Sequence, residues 1–415
     1  MISVQNRLLP LSGNKWLLCF ITALILGACS PKVRPVSTPV AKQTEKPENK
    51  VVEKPAVKPP EVKAAVISMI LPLGLDHVRP RSYTSAGLTK ANMSVEYYQG
   101  FKLALDSLAA AGDNFKLQLY DSKDDASAAH SLAYNPQIRT SDLVVGPVFP
   151  DVIKEFSAIV GTRVSVLSPL SPASPATINN RNLITAIPPL EYHAWGAAQF
   201  INDKLKPKKI FVLRSGFSQE NDYVVNFKKA IDSLSKKKVR VVSVIISRGK
   251  LSGLISQLSK TEPNVFVIPA TDQAFLGVTL RSLDTLNKHY PVVLFGHPSW
   301  EKFNFLKADI LQRLKTHITS ADKISYKQEA TIAFLRNYRK AYHVEPTDFA
   351  IKGFDEGLYF GRQLFAGDKG LTALDKTDFT GIHNSFHFEK KPGLGWVNTH
   401  VNILMYTNFE LKQVE

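Results

Sequence analysis

The sequence predicts an α/β protein made of two lobes, each a doubly wound parallel sheet. Three observations carry that prediction. Short apolar runs of strand length recur at 66–71, 116–120, 143–145, 164–167, 210–213, 239–246, 265–268 and 292–295. Runs apolar toward both faces suit parallel strands covered by helices on both sides. Stretches of helical period lie between them, and strand alternating with helix makes βαβ units. The pattern also occurs twice, the first four runs forming one set and the last four another. Two α/β lobes of similar size imply a cleft between them, and in open α/β sheets ligands sit beyond the carboxyl ends of the strands.

Taken in order, the first strand is followed by a polar segment, 74–93, punctuated by Gly and Pro and expected to be a long loop. Ser94 is placed to cap a helix whose apolar positions are Val95, Tyr98, Phe101, Leu105 and Leu108. In the second set, Tyr223, Phe227, Ala230, Ile231 and Leu234 have the same spacing. Lys236-Lys237-Lys238 after that helix reads as a solvated turn.

Ahead of the lobes the chain changes character. Arg7 and Lys15 precede the apolar stretch 16–28, which is too short to span a bilayer but fits a signal-peptide core. The stretch closes on Leu26-Gly27-Ala28-Cys29, which resembles the bacterial lipobox, in which Cys29 becomes the lipidated first residue. An ordinary secretory signal with a chance Cys is the other reading. Residues 30–63 contain seven prolines among Lys, Glu, Val and Thr and no aromatic residue. Such a segment buries too little surface to fold and leans toward polyproline geometry, so a disordered tether is expected. Either it is a spacer of functional length or a generic linker. Ser30-Pro31 lacks the Asp that resembles an inner-membrane retention signal, so the expected site is the outer membrane, facing the periplasm.

Composition narrows the function. Cys19 falls in the segment to be removed and Cys29 would carry acyl chains such as palmitate, leaving no cysteine for a disulfide or thiolate metal site. The formal charge is +16. Residues 1–29 contribute two positive charges and 30–63 a net four, leaving +10 spread over 64–415. That dilution, with export, argues against a nucleic-acid partner. No Gly-x-Gly-x-x-Gly, Walker or Gly-x-Ser-x-Gly motif is present. Ser320-Ala321-Asp322-Lys323 has Ser-x-x-Lys spacing without companion motifs, Asp124-Asp125 reads as a surface turn, and His383 and His387 lie too far apart on a strand to share a metal. No enzyme activity, metal or cofactor is expected.

Several segments resemble the type I periplasmic-binding-protein family, that of the branched-chain amino-acid receptors. They are 66–72, Tyr97-Tyr98-Gln99-Gly100-Phe101, 117–125, Val144-Val145-Gly146-Pro147, 164–169, 184–188 and 349–357 with Phe354-Asp355. The resemblance covers 64–415 and implies three interlobe connections, with lobe one at about 64–187 and 315–378 and lobe two at about 188–314 and 379–415. It implies hinge closure around a ligand. The family's amino-acid receptors carry a Ser after the third strand's Gly-Pro and an Ala-Thr pair after the fourth. Here those places read Val148-Phe149-Pro150 and Leu170-Ser171-Pro172, so an α-amino-acid ligand is in doubt.

Candidate lining residues are Tyr97, Phe149, Ser168 and Ser171 in lobe one and Arg214, Tyr223, Thr271, Asp272, His297 and Trp300 in lobe two. Aromatics with a few polar groups make a small-ligand pocket. Tyr97 and Tyr223 also read as helix-face core, the favoured reading for both, Asp272 as a helix cap, and Arg214 as partner of an anionic ligand or of a structural carboxylate. Two functions follow: a membrane-anchored receptor that binds a small molecule for a transporter or sensor, or an adaptor resembling the outer-membrane lipoprotein activators of a peptidoglycan synthase.

Overall fold

The computed structural model describes residues 64–75 and 84–414. The leader, the lipobox with Cys29 and the tether to residue 63 lie outside the described residues. No helix among the described residues is long and apolar enough to cross a membrane.

Two seven-stranded sheets form the framework. The first contains β1 (Ala65–Leu71), β2 (Phe115–Asp121), β3 (Leu143–Val145), β4 (Val166–Ser168), β5 (Leu183–Thr185), β13 (Phe388–Lys391) and β14 (Gly395–Asn398), in the order β13-β14-β5-β4-β3-β1-β2. The second contains β6 (Lys209–Arg214), β7 (Arg240–Ile245), β8 (Asn264–Ile268), β9 (Val292–Gly296), β10 (His317–Ser320), β15 (Asn402–Thr407) and β16 (Glu410–Gln413), in the order β16-β15-β10-β9-β8-β6-β7. The 2-1-3-4-5 order recurs in both, with the switch point beside the first strand of each lobe. A small pair, β11 (Phe379–Thr380) with β12 (Ser385–Phe386), stands apart.

Helices flank both sheets: α1 (Ser85–Ala110), α2 (Ala126–Ala133), α3 (Pro136–Arg139), α4 (Pro150–Val160), α5 (Leu190–Phe200), α6 (Asn221–Leu234), α7 (Gln273–Asn287), α8 (Ala308–Arg313), α9 (Glu329–Tyr342) and α10 (Asp348–Leu364). Period-2 alternation sends successive strand residues to opposite cores. Ile67, Met69, Leu71, Leu143 and Val145 pack with Tyr97, Phe101, Tyr359 and Phe360 of α1 and α10. Ile70, Val144 and Val166 face Ala129, Ile153 and Phe156 of α2 and α4. In the second lobe Phe211, Leu213, Phe266 and Leu294 meet α7, while Ile210, Val212, Val265 and Val293 meet α5 and α6. The α1–α10 contact is unusually close because glycines face it. A Cβ on Gly100 would lie 1.8 Å from the Ala350 carbonyl oxygen, and one on Gly353 would lie 2.2 Å from that of Tyr97.

Three expectations need correction. The first helix begins at Ser85, capped by Thr84, whose Oγ1 accepts from Gly87 N at 3.0 Å. Residues 85–93 include Ala, Leu, Lys and Met, good helix formers, and no proline, so the last nine residues of the expected loop are helix. Ser94 is therefore not a cap. It is buried mid-helix, its Oγ donating to Lys90 O (2.8 Å) and Pro72 O (3.0 Å). The lobe boundaries also shift. Buried β10 pairs with β9 and β15, so the second lobe extends through Ser320. β14 pairs with β5 in parallel, Trp396 opposite Ile184, so the first lobe keeps the chain through Asn398.

Candidate functional site

The carboxyl ends of the strands are stabilised from within each lobe. After β1 the chain turns around the Asp121 carboxylate, which accepts from Leu73 N (2.9 Å), Gly74 N (3.1 Å) and Leu75 N (2.7 Å). After β3, Gly146 has φ +92°, and a Cβ there would lie 2.1 Å from Ile70 O. Phe149 is half-buried, with Lys90 Nζ 4.9 Å from its ring centre. Ser168 is buried at the end of β4, and buried Ser171 accepts from Ala173 N at 3.2 Å. Tyr97 is fully buried, its hydroxyl donating to Glu356 Oε2 at 2.7 Å.

The second lobe is similar. Trp300 is fully buried and donates from Nε1 to Ala270 O at 2.9 Å. Its ring lies so close to Gly296 that a Cβ would meet it at 2.2 Å. Tyr223 is buried against Phe227 and 6.0 Å from the His297 ring, and burial pushes its hydroxyl pKa up. Asp272 caps α7, accepting from Phe275 N at 2.7 Å. Arg214 donates to Asn221 Oδ1 at 2.7 Å and stands 3.5 Å from the buried Glu220 carboxylate, the structural partner. His297 accepts on Nδ1 from Ser299 N at 3.1 Å, and burial lowers its pKa to about 4. Of the ten expected lining residues, Tyr97, Ser168, Ser171, Tyr223 and Trp300 thus have almost no surface to offer a solute. Phe149, Arg214, Thr271, Asp272 and His297 keep partial exposure.

A polar network at the lobe crossings was not foreseen from the sequence. Asp322, just past β10, pairs with Lys352 Nζ at 2.7 Å and accepts from Asn384 Nδ2 at 3.1 Å. Burial alone would raise the Asp322 carboxyl, but Lys352 and His383 hold it below its usual value. Asp355 accepts from Ile382 N (3.0 Å), His383 N (2.8 Å) and Asn384 N (2.8 Å), while burial pushes its pKa to about 6. Glu356, beside it, is pushed well up by burial, and its Oε1 has no hydrogen-bond partner among the described residues. Asn398 donates to Ala186 O (2.9 Å) and Ser385 O (3.0 Å) and accepts from His387 N (3.0 Å) and His400 N (3.1 Å). It thereby ties the first crossing to the third. The available signal was polar residues, Asn384, Asn398 and Asn402, set in apolar surroundings.

The chemistry of these groups is binding and positioning. Ser320 Oγ donates to Glu301 Oε2 at 2.9 Å, while Lys323 bonds Gln413, so the Ser-x-x-Lys pair is not assembled. His383 is buried beside Asp322, whereas His387 is exposed and 2.8 Å from Asp378. Among the described residues no three His, Cys, Asp or Glu side chains gather as a metal site.

No protein-family model and no curated protein matches the sequence. Solved structures do match. A protein assigned as a branched-chain amino acid ABC transporter from Rhodospirillum rubrum aligns at TM-score 0.61 and 16% identity, over 85% of this chain and 100% of that one. An ABC transporter substrate-binding protein from Desulfitobacterium hafniense, in complex with Leu, aligns at 0.53 and 16%, over 85% and 100%. The C-domain of LpoA from Haemophilus influenzae, described as a regulator of PBP1A, aligns at 0.55 and 12%, over 85% and 100%. With two doubly wound sheets joined by three crossings, the chain has the type I periplasmic-binding-protein fold.

Proposed function

We propose that this chain is an exported lipoprotein, anchored through Cys29 at the outer membrane and facing the periplasm, whose bilobed domain is a non-catalytic adaptor. Its partner is a protein of cell-wall synthesis, a peptidoglycan synthase, rather than a free amino acid. One observation carries the preference: five of the ten expected strand-end residues, Tyr97, Ser168, Ser171, Tyr223 and Trp300, are buried inside the lobes. Where the amino-acid receptors that the chain resembles carry a Ser and an Ala-Thr pair, this chain reads Val148-Phe149-Pro150 and Leu170-Ser171-Pro172, and Trp300, Tyr223 and Tyr97 are core. The regulatory role of the LpoA C-domain, which shares the fold over its full length, supports the same reading. So does the tether, whose 30–63 stretch would reach roughly 100 Å if extended as polyproline. A receptor for a small solute is the second reading, favoured by the partly exposed Phe149, Arg214, Thr271, Asp272 and His297.

Thermal-shift measurements with amino acids, peptides, sugars and nucleosides separate the two. A ligand at 100 times its Kd stabilises by about 2.7 kcal/mol, a readily seen shift. The adaptor reading expects flat amino-acid curves and capture of a synthase by the immobilised chain. Saturable stabilisation by an amino acid that disappears in His297→Ala and Thr271→Ala overturns it.

A further inference from the structure

Away from the strand ends, a groove of about 660 Å³ opens where the chain crosses between lobes. Its volume falls in the range of small-ligand sites. The groove lies between α5 and α6 of the second lobe, β13 of the first, and the crossing at 399–401. Its walls therefore belong to both lobes.

Helix α5 presents Tyr192, Trp195 and Gln199 along one stripe, spaced three and four residues apart. Its opposite stripe, Ala194, Ala197 and Ala198, is buried in the core. Tyr192 and Trp195 are half-buried and Gln199 is exposed. Among the described residues, the Tyr192 hydroxyl, the Trp195 indole N–H, the Gln199 amide and the Lys229 ammonium make no hydrogen bond. Burial and the Glu191 and Glu389 carboxylates push the Tyr192 hydroxyl to about 12, so it remains a protonated donor. Across the groove, Lys391 pairs with Glu389 at 2.5 Å and lies 5.6 Å from the Tyr192 ring centre.

The lining combines aromatic faces, convergent unused donors and charges of both signs that largely offset one another. Such a surface suits a ligand rich in hydroxyls, carrying apolar ring faces and no net charge. We propose that this groove binds a neutral pyranose carbohydrate, with Trp195 and Tyr192 against its ring faces and Gln199 and Lys229 donating to its oxygens. A sugar held there touches both lobes and biases the angle between them. The site is separate from the strand ends and stands or falls independently of the synthase partner.

The test titrates the full chain with tri-N-acetylchitotriose, cellotriose and maltotriose, read by tryptophan fluorescence and calorimetry. At least one sugar should bind saturably. Trp195→Ala and Tyr192→Ala should each weaken it about tenfold or more, the effect of truncating an aromatic anchor. His297→Ala, at the strand ends, should leave it unchanged. Trp195→Phe keeps a ring but loses the N–H, so intermediate weakening is expected, and far-UV circular dichroism verifies folding of each variant. Absence of saturable binding by all three sugars overturns the proposal, as does binding indifferent to both alanine variants. Inorganic phosphate should not bind; phosphate binding lost in Lys229→Ala would instead make this an anion site and overturn the neutral-ligand assignment.

Discussion

Asn398 is the side chain whose loss the lobe crossings should feel most. It is 1% exposed and makes four hydrogen bonds, at 2.9, 3.0, 3.0 and 3.1 Å, to Ala186 O, Ser385 O, His387 N and His400 N. Asn398→Ala removes them all and leaves four backbone groups without a partner. A typical hydrogen bond contributes about 1 kcal/mol net, and a buried group left unsatisfied costs about 1–3 kcal/mol. Water entering the part-buried positions recovers some of this, so the expected loss is about 3–4 kcal/mol. Asn398→Asp retains an acceptor for His387 N and His400 N but loses both donated bonds and buries a charge. It should be at least as destabilising near pH 7, and milder when acid protonates it. The assay is urea unfolding of the purified protein, with the midpoint shift read at constant m. Asn202→Ala, whose amide bonds only the neighbouring Asp203 side chain, is the control and should cost under about 0.5 kcal/mol. A loss below about 1 kcal/mol for Asn398→Ala would refute the view that this residue fastens the crossings.

Other perturbations follow from the same structure. Gly353→Ala adds a Cβ 2.2 Å from a backbone oxygen of α1, which cannot rotate away, so overpacking of about 1–3 kcal/mol exceeds the gain in helix propensity and Tm falls. Gly277→Ala, whose nearest atom is Nη2 of the exposed Arg281 at 3.8 Å, an ordinary contact, should instead raise stability by about 0.5–1 kcal/mol. Trp300→Ala empties a fully buried site and should cost about 3–5 kcal/mol in calorimetric or urea unfolding. Burial lowers His193, His297 and His317 to about 4, below the 6.5 of an unfolded chain. The unfolded state then binds protons that the native state refuses. Stability is full above pH 6.5 and declines as pH falls toward 4, by at most roughly 3 kcal/mol per histidine. His317→Gln should flatten that slope in unfolding measurements across the window.

The fold was legible where burial is two-sided. The runs that became β1, β3, β8 and β9 are almost wholly apolar because helices cover both faces, and the sequence shows that directly. β10 was missed because His317-Ile318-Thr319-Ser320 buries polar side chains, Thr319 being held by His193 at 2.9 Å. β14 was missed because Gly395-Trp396-Val397-Asn398 carries no apolar run, and its pairing with β5 spans some two hundred residues. Those two strands are what displaced the lobe boundaries. At the strand ends, sequence placed the segments but not the side-chain partners. Trp300 and Arg214 have the same chemistry whether they face a ligand or a neighbour, and only three-dimensional packing selects Ala270 O and Glu220. The asparagines at the crossings have no periodicity at all, since their partners lie elsewhere in the chain: Ala186 O and Ser385 O for Asn398, the Asp322 carboxylate for Asn384, Ser320 O for Asn402. The groove on α5 was in principle readable from the Tyr192, Trp195, Gln199 stripe, but its other walls come from distant parts of the chain.

The adaptor reading is tested most directly by calorimetric titration of the full chain with a purified peptidoglycan synthase and, in parallel, with leucine. Saturable heat with the synthase and none with leucine is the predicted result. Stoichiometric leucine binding, with no heat from the synthase, would contradict it.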